Sequence, residues 1–124
     1  MSARRLLIVE DELLVALDIE TILSDAGLVV LGPVSSASEA LTLIADGGPD
    51  AALLDANLGG EPITEVARSL SERGIPFAYV TGYGRESLPE GYEAPIVTKP
   101  FDAGQLLAAV RYLLDGATGT GSAA

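Results

Sequence analysis

Five short apolar runs recur along the chain with helical patterns between them, and this alternation is what most restricts the fold. The runs are Leu6-Leu7-Ile8-Val9, Leu28-Val29-Val30-Leu31, Ala51-Ala52-Leu53-Leu54, Phe77-Ala78-Tyr79-Val80 and Ile96-Val97. Each is continuous rather than alternating, which suits strands buried on both faces of a parallel sheet. Asp11 to Gly27 carries Ala16, Ile19, Leu23 and Ala26 at helical spacing, with Asp18, Thr21 and Asp25 as a polar stripe. Ser36 and Glu39 read as a capping box, and the helix they open stops at Gly47-Gly48-Pro49. Pro62 is placed to open a third helix at its first position, with Arg73-Gly74 closing it. Asp102 and Gln105 cap a last helix whose Leu106, Val110 and Leu113 form one stripe. Gly84 to Ala94 holds Gly84, Pro89 and Gly91, so the helix between the fourth and fifth strands is expected to be cut to about one turn.

The expected architecture is a doubly wound α/β fold, (βα)₅, with a five-stranded parallel sheet in the flavodoxin-like order 2-1-3-4-5 and a shortened fourth helix. Residues 1–115 are expected to form one domain. Residues 116–124, which hold no large apolar side chain, are expected to form a flexible tail. The 124 residues are a single-domain length, and the 48% hydrophobic content excludes disorder for most of the chain.

Composition removes whole classes of chemistry. The chain has no cysteine and no histidine, so thiolate nucleophiles, zinc-thiolate sites and Ser-His-Asp catalysis are excluded. Any metal should be a hard cation held by oxygen. The formal net charge of -11 argues against direct contact with nucleic acid or an anionic membrane surface. The apolar run after Arg4-Arg5 is too short for a signal peptide or a membrane span, so a cytoplasmic location is expected.

In a doubly wound sheet, ligands bind beyond the carboxyl ends of the strands. Strand 1 ends in Glu10-Asp11-Glu12, strand 3 in Asp55, strand 4 in Thr81-Gly82 and strand 5 in Lys99-Pro100. Each ending alone is ordinary, since acids cap helices and Asp or Thr-Gly forms turns. Together they bring carboxylates, a hydroxyl and an ammonium to one edge. Two carboxylates about 4 Å apart at an effective dielectric near 20 repel by roughly 4 kcal/mol. A divalent cation relieves that repulsion, and an all-oxygen site selects Mg²⁺, with Mn²⁺ acceptable. A carboxylate can also attack phosphorus. The natural division makes Asp55 the nucleophile, Glu10 and Asp11 the metal holders, and Thr81 and Lys99 the partners of the phosphoryl oxygens.

The stretches LLIVEDE, ALLDANLGG, FAYVTGY and IVTKPF, in that order, resemble those of two-component response-regulator receiver domains. The resemblance covers residues 4–115. It implies Asp55 as phosphoacceptor, Glu10 and Asp11 as the acidic pair, and the Asn57 backbone carbonyl as a further metal ligand. It implies Thr81 and Lys99 as switch hydroxyl and phosphate-binding lysine. Tyr79-Val80-Thr81-Gly82-Tyr83 is similar to the strand 4 motif of a subgroup of short receivers with a Phe-Ala-Thr-Gly-Tyr-like sequence. Receivers often carry an aromatic switch three residues before the lysine, where this chain has Ile96, so Tyr83 is expected to carry the signal instead. The resemblance further implies that side chains at Asn57 and Tyr83 tune hydrolysis of the acyl phosphate.

The implied phosphodonor is a histidine kinase or histidine phosphotransfer protein, and the implied output is contact with a partner protein. A phosphate sink, or a receiver belonging to a longer kinase or regulator, fits the same residues. The chain is expected to be a monomer or weak dimer. A phosphorylation-independent binding module is disfavoured by the complete residue set. A haloacid dehalogenase-type phosphatase needs a second Asp two residues after the first as general acid, and this chain has Asn57 there. The chain is accordingly not expected to turn over as an enzyme: incubation with assorted phosphomonoesters should release no phosphate beyond the uncatalysed rate.

Overall fold

The computed structural model describes residues 3–59, 62–82 and 88–116. Its order is β1 (Arg5–Val9), α1 (Leu13–Asp25), β2 (Val29–Val34), α2 (Ala37–Ala45), β3 (Ala51–Asp55), α3 (Thr64–Glu72), β4 (Phe77–Thr81), β5 (Ile96–Thr98) and α4 (Ala103–Arg111). A π-helical turn, Tyr112–Gly116, continues α4, so Gly116 belongs to this turn and not to the tail expected from the sequence. Residues 117–124 lie outside the described residues. The strands are all parallel, in the order β2-β1-β3-β4-β5.

Alternation along the strands divides the core in two. Leu7, Val9, Ala52, Leu54 and Tyr79 pack with Ile44, Val66 and Leu70 from α2 and α3. Leu6, Ile8, Leu53, Ala78 and Val80 pack with Ile19, Leu23, Leu106 and Val110 from α1 and α4. β3 and β4 are buried throughout, which is why their sequences are continuously apolar. That reading does not extend to the edges. β2 has no fully buried residue and β5 has only Val97, because an edge strand is covered less completely. β2 also runs on to Val34, past a bulge against β1. Gly32 sits there at φ +96, and a Cβ would come within 2.7 Å of the Val34 amide nitrogen.

Most helix signals are realised. Glu39 N–H donates to Ser36 Oγ, and the Glu39 carboxylate accepts the Ser35 amide, one residue before the reciprocal partner expected. The Asp102–Gln105 capping box is complete, and Leu106, Val110 and Leu113 are all buried. Pro62 is corrected: α3 begins at Thr64 with Ile63 as its cap, so the proline lies outside the helix. Ile63 is buried and anchors that start in the core.

Between β4 and β5, residues 88–95 form a turn and irregular backbone, so the single helical turn expected between these strands is not found among them; residues 83–87 lie outside the described residues. This segment packs on the core through Leu88, Tyr92 and Ala94, and Tyr79 ties it to the sheet by its backbone amide, which donates to the Pro95 carbonyl at 2.9 Å, and by its side chain. The Tyr79 hydroxyl donates to the Tyr92 carbonyl at 2.6 Å, and its ring meets Phe77 edge to face at 5.5 Å between centroids. Burial pushes the Tyr79 phenol up to about 12, so it remains a donor at all physiological pH. Tyr79→Phe keeps the ring and strands the carbonyl. It is expected to lower stability by about 1–2 kcal/mol in urea unfolding, with faster amide exchange at residues 88–95.

Candidate functional site

Glu10 follows Val9, and Val9 pairs with Leu54, so Glu10 and Asp55 stand level on adjacent strands. They share an alternation face with Ile8 and Leu53, the α1 side of the sheet. Both are nearly fully buried. Asp11 follows, exposed, in the link to α1. One carboxylate oxygen from each of Glu10, Asp11 and Asp55 lies within 4.8 Å of the others. The repulsion argued from sequence is therefore present in the fold.

Backbone donors offset part of it. The Glu12 amide donates to Glu10 Oε2 at 3.1 Å, and the Asn57 amide donates to Asp55 Oδ1 at 2.9 Å. Glu10 Oε1 is buried without a hydrogen bond. Lys99 Nζ lies 3.4 Å from it, close enough for charge attraction. Burial, and then the neighbouring Asp55 carboxyl, push Glu10 up to about 7 from an ordinary value of 4.5. Asp11 is raised too, by burial and then by Asp55.

Lys99 arrives from the end of β5, where its amide donates to the Thr81 carbonyl at 2.9 Å. Its Nζ is 2.7 Å from Glu12 Oε1 and 3.8 Å from Asp55 Oδ1. Burial alone would lower its pKa; the Glu12 hydrogen bond and the charges of Glu10 and Asp55 outweigh this and raise it. A cleft of about 400 Å³ opens here, lined by Asp11, Glu12, Asp55, Asn57, Gly59, Gly82 and Lys99. Glu10 and Thr81 do not line it; both are buried. Thr81 reaches the same edge one position beyond Val80, the register partner of Asp55. The Asn57 carbonyl accepts the Gly59 amide at 2.9 Å and keeps a second lone pair. Tyr83, expected to carry the signal, lies outside the described residues.

The donor set fits a hard divalent cation. It offers three carboxylates, one with an oxygen lacking a hydrogen bond, and no nitrogen or sulfur ligand. Gly59 adds a steric condition. It sits at φ +55, and a Cβ would lie 3.0 Å from Asp11 Oδ2.

Three features escaped the sequence reading. Glu12 turns its carboxylate to Lys99 and makes no cap bond to α1. Gly59 leaves room for Asp11. Leu13, Leu14 and Leu17 are 70%, 80% and 46% exposed at the start of α1, beside the cleft. Their apolar character was a visible signal, because the core stripe of Ala16, Ile19 and Leu23 leaves them on another face.

A parallel sheet in this order with an acidic cleft at its carboxyl edge defines a receiver-type α/β protein. The family model of the response regulator receiver domain matches residues 6–111, and the chain belongs to that family. SdrG from Sphingomonas melonis Fr1 is 40% identical, with 92% of this chain and 99% of that chain covered and a TM-score of 0.81. PhyR from Brucella abortus is 32% identical over 98% of this chain and 52% of that chain, with a TM-score of 0.82. The transcriptional regulatory protein PdtaR of Mycobacterium tuberculosis (strain CDC 1551 / Oshkosh) is 30% identical over 86% of this chain. The chain spans 55% of PdtaR, about half its length. No helix among the described residues is long and apolar enough to cross a membrane.

The raised carboxyls give a pH signature. Glu10 takes up a proton on folding between its unfolded value of 4.5 and its folded value of about 7. That contribution is full below the lower value and is lost as pH rises through the upper one. In chelator, urea stability should fall on the order of 1–3 kcal/mol from about pH 5 to about pH 8. Glu10→Gln should flatten the slope, and Mg²⁺ should restore stability at the alkaline end.

Proposed function

We propose that this receiver takes a phosphoryl group onto Asp55 and signals through the face formed by β4, β5 and α4. What carries the reading is Asp55, buried between two further carboxylates, with Lys99 Nζ 3.8 Å away. Asp55 attacks phosphorus in line with the donor's leaving group. Glu10, Asp11 and Asp55, with the Asn57 carbonyl, would hold Mg²⁺, which when bound neutralises charge on the phosphoryl oxygens.

Lys99 offers a full positive charge to those oxygens from the end of β5, and its raised pKa keeps it protonated throughout. The Asn57 amide, 2.9 Å from Asp55 Oδ1, orients the attacking carboxylate. Thr81 supplies a hydroxyl at the same edge. Its movement toward the new group, with that of Lys99, would shift the β4–β5 face between two packings. The new charge is of the kind that biases such a pair of states. SdrG has a BeF3-activated conformation with a TM-score of 0.76 to this chain at 41% identity, which supports a two-state reading.

The donor is proposed to be a histidine kinase or histidine phosphotransfer protein in the cytoplasm. The exposed leucines of α1 stand where such a partner would approach the cleft. A role as phosphate sink uses the same site.

Incubation with acetyl phosphate and Mg²⁺ should add one phosphoryl mass to the wild type and none to Asp55→Asn. An adduct on the variant, or none on either, would overturn the assignment. Leu14→Asp should slow transfer from a phosphohistidine donor by about tenfold, as loss of one interface anchor does, and leave labelling by acetyl phosphate unchanged.

A further inference from the structure

Glu12 occupies the N-cap position of α1, where an acidic side chain ordinarily accepts a helix amide. Here it makes no such bond. Its Oε1 lies 2.7 Å from Lys99 Nζ, the shortest of that ammonium's carboxylate contacts, against 3.4 Å to Glu10 and 3.8 Å to Asp55. The last distance is beyond a hydrogen bond. Lys99 also donates to Glu10 Oε2 at 3.4 Å, but its nearest anion is Glu12, which draws the ammonium toward the cleft mouth and short of Asp55. The Glu12 side chain is 61% exposed while that of Lys99 is 18% exposed. Water can therefore replace the ammonium at Glu12 with little loss, whereas the lysine stays within the cleft whichever anion it meets.

We propose that Glu12 is a positioning residue that competes with the phosphoryl group for Lys99, and so limits both the rate at which Asp55 is phosphorylated and the time the phosphoryl group stays. This rests on the reading of Asp55 as phosphoacceptor. In the step concerned, an Asp55 oxygen forms the bond to phosphorus, and the bond from phosphorus to the donor oxygen breaks. The electron pair leaves with that oxygen, as acetate when acetyl phosphate is the donor. Lys99 keeps its proton and exchanges its closest partner, Glu12, for a phosphoryl oxygen. Each Lys99–Glu12 contact must therefore be given up before transfer is assisted, and its return competes with retention.

The test follows phosphorylation of the full chain by acetyl phosphate and Mg²⁺ by intact mass over a range of donor concentrations. Loss of the adduct is then followed after donor removal. Glu12→Gln should raise the maximal rate and lengthen the adduct's lifetime, each about twofold to fivefold, the range open to an exposed ion pair. Glu12→Asp keeps the charge but shortens the reach, and should shift both quantities in the same direction. Asp18→Asn removes an equal charge from an exposed position on α1 and should match the wild type. If Glu12→Asp stays at wild-type values while Glu12→Gln rises, charge at the cleft mouth and not the lysine contact is responsible, and the proposal falls. It falls equally if Glu12→Gln changes neither quantity, or if Asp18→Asn reproduces its effect. A wild-type chain that takes no phosphoryl group would overturn the phosphoacceptor reading itself, and this inference with it.

Discussion

Like charges crowded at a buried edge organise this molecule. Glu10 and Asp55 are nearly fully buried, and Asp11 brings a third carboxylate within 4.8 Å of them. Carboxylates that close cannot all ionise cheaply in a low-dielectric setting, so the fold must supply positive charge or retain a proton there. It does some of each. Lys99 approaches from β5, backbone amides of Glu12 and Asn57 donate into the cluster, and Glu10 is raised to about 7. The oxygen donor set that remains is of the kind that fits a hard cation.

The scaffold makes the crowding possible because it is rigid. β3 and β4 are buried along their whole length, and the pairing of Val9 with Leu54 sets Glu10 beside Asp55. The helices that cover the sheet meet it through aliphatic side chains alone on the α1 side of β1 and β3. A packed aliphatic layer of this kind is dense and transmits strain instead of absorbing it. The proposed switch needs such a layer, because a local change of charge at the edge must reach the β4–β5 face through packed side chains. Tyr79 helps fasten the segment between β4 and β5, whose described residues hold no helix, through both its hydroxyl and its backbone amide.

The strands, their order and the acidic cluster were legible because burial on both faces and the switch-point rule leave clear traces in a single sequence. Leu6 to Val9 and Ala51 to Leu54 read as buried strands like the other apolar runs, and Asp55 directly after one of them was conspicuous. The edges were less legible. β2 runs through Gly32 and Pro33 to Val34, three residues past the apolar run that marked it in the sequence. Pro62 fits a helix start in isolation, but buried Ile63 fixes the start further on. Glu12 was hidden for a different reason. An acid at a helix start has a routine explanation, and only the fold reveals that its carboxylate faces a lysine far along the chain. Gly59 was equally silent, since its meaning lies in the space it leaves beside Asp11.

The central claim is that the three carboxylates form one cation site that carries a proton until the cation arrives. Calorimetric titration with Mg²⁺ near pH 6.5, repeated in buffers of different ionisation heat, reads that directly. The account requires Mg²⁺ binding to the wild type with net proton release, and much weaker binding to Asp11→Asn. Binding without proton release, or with equal strength in the variant, would contradict it.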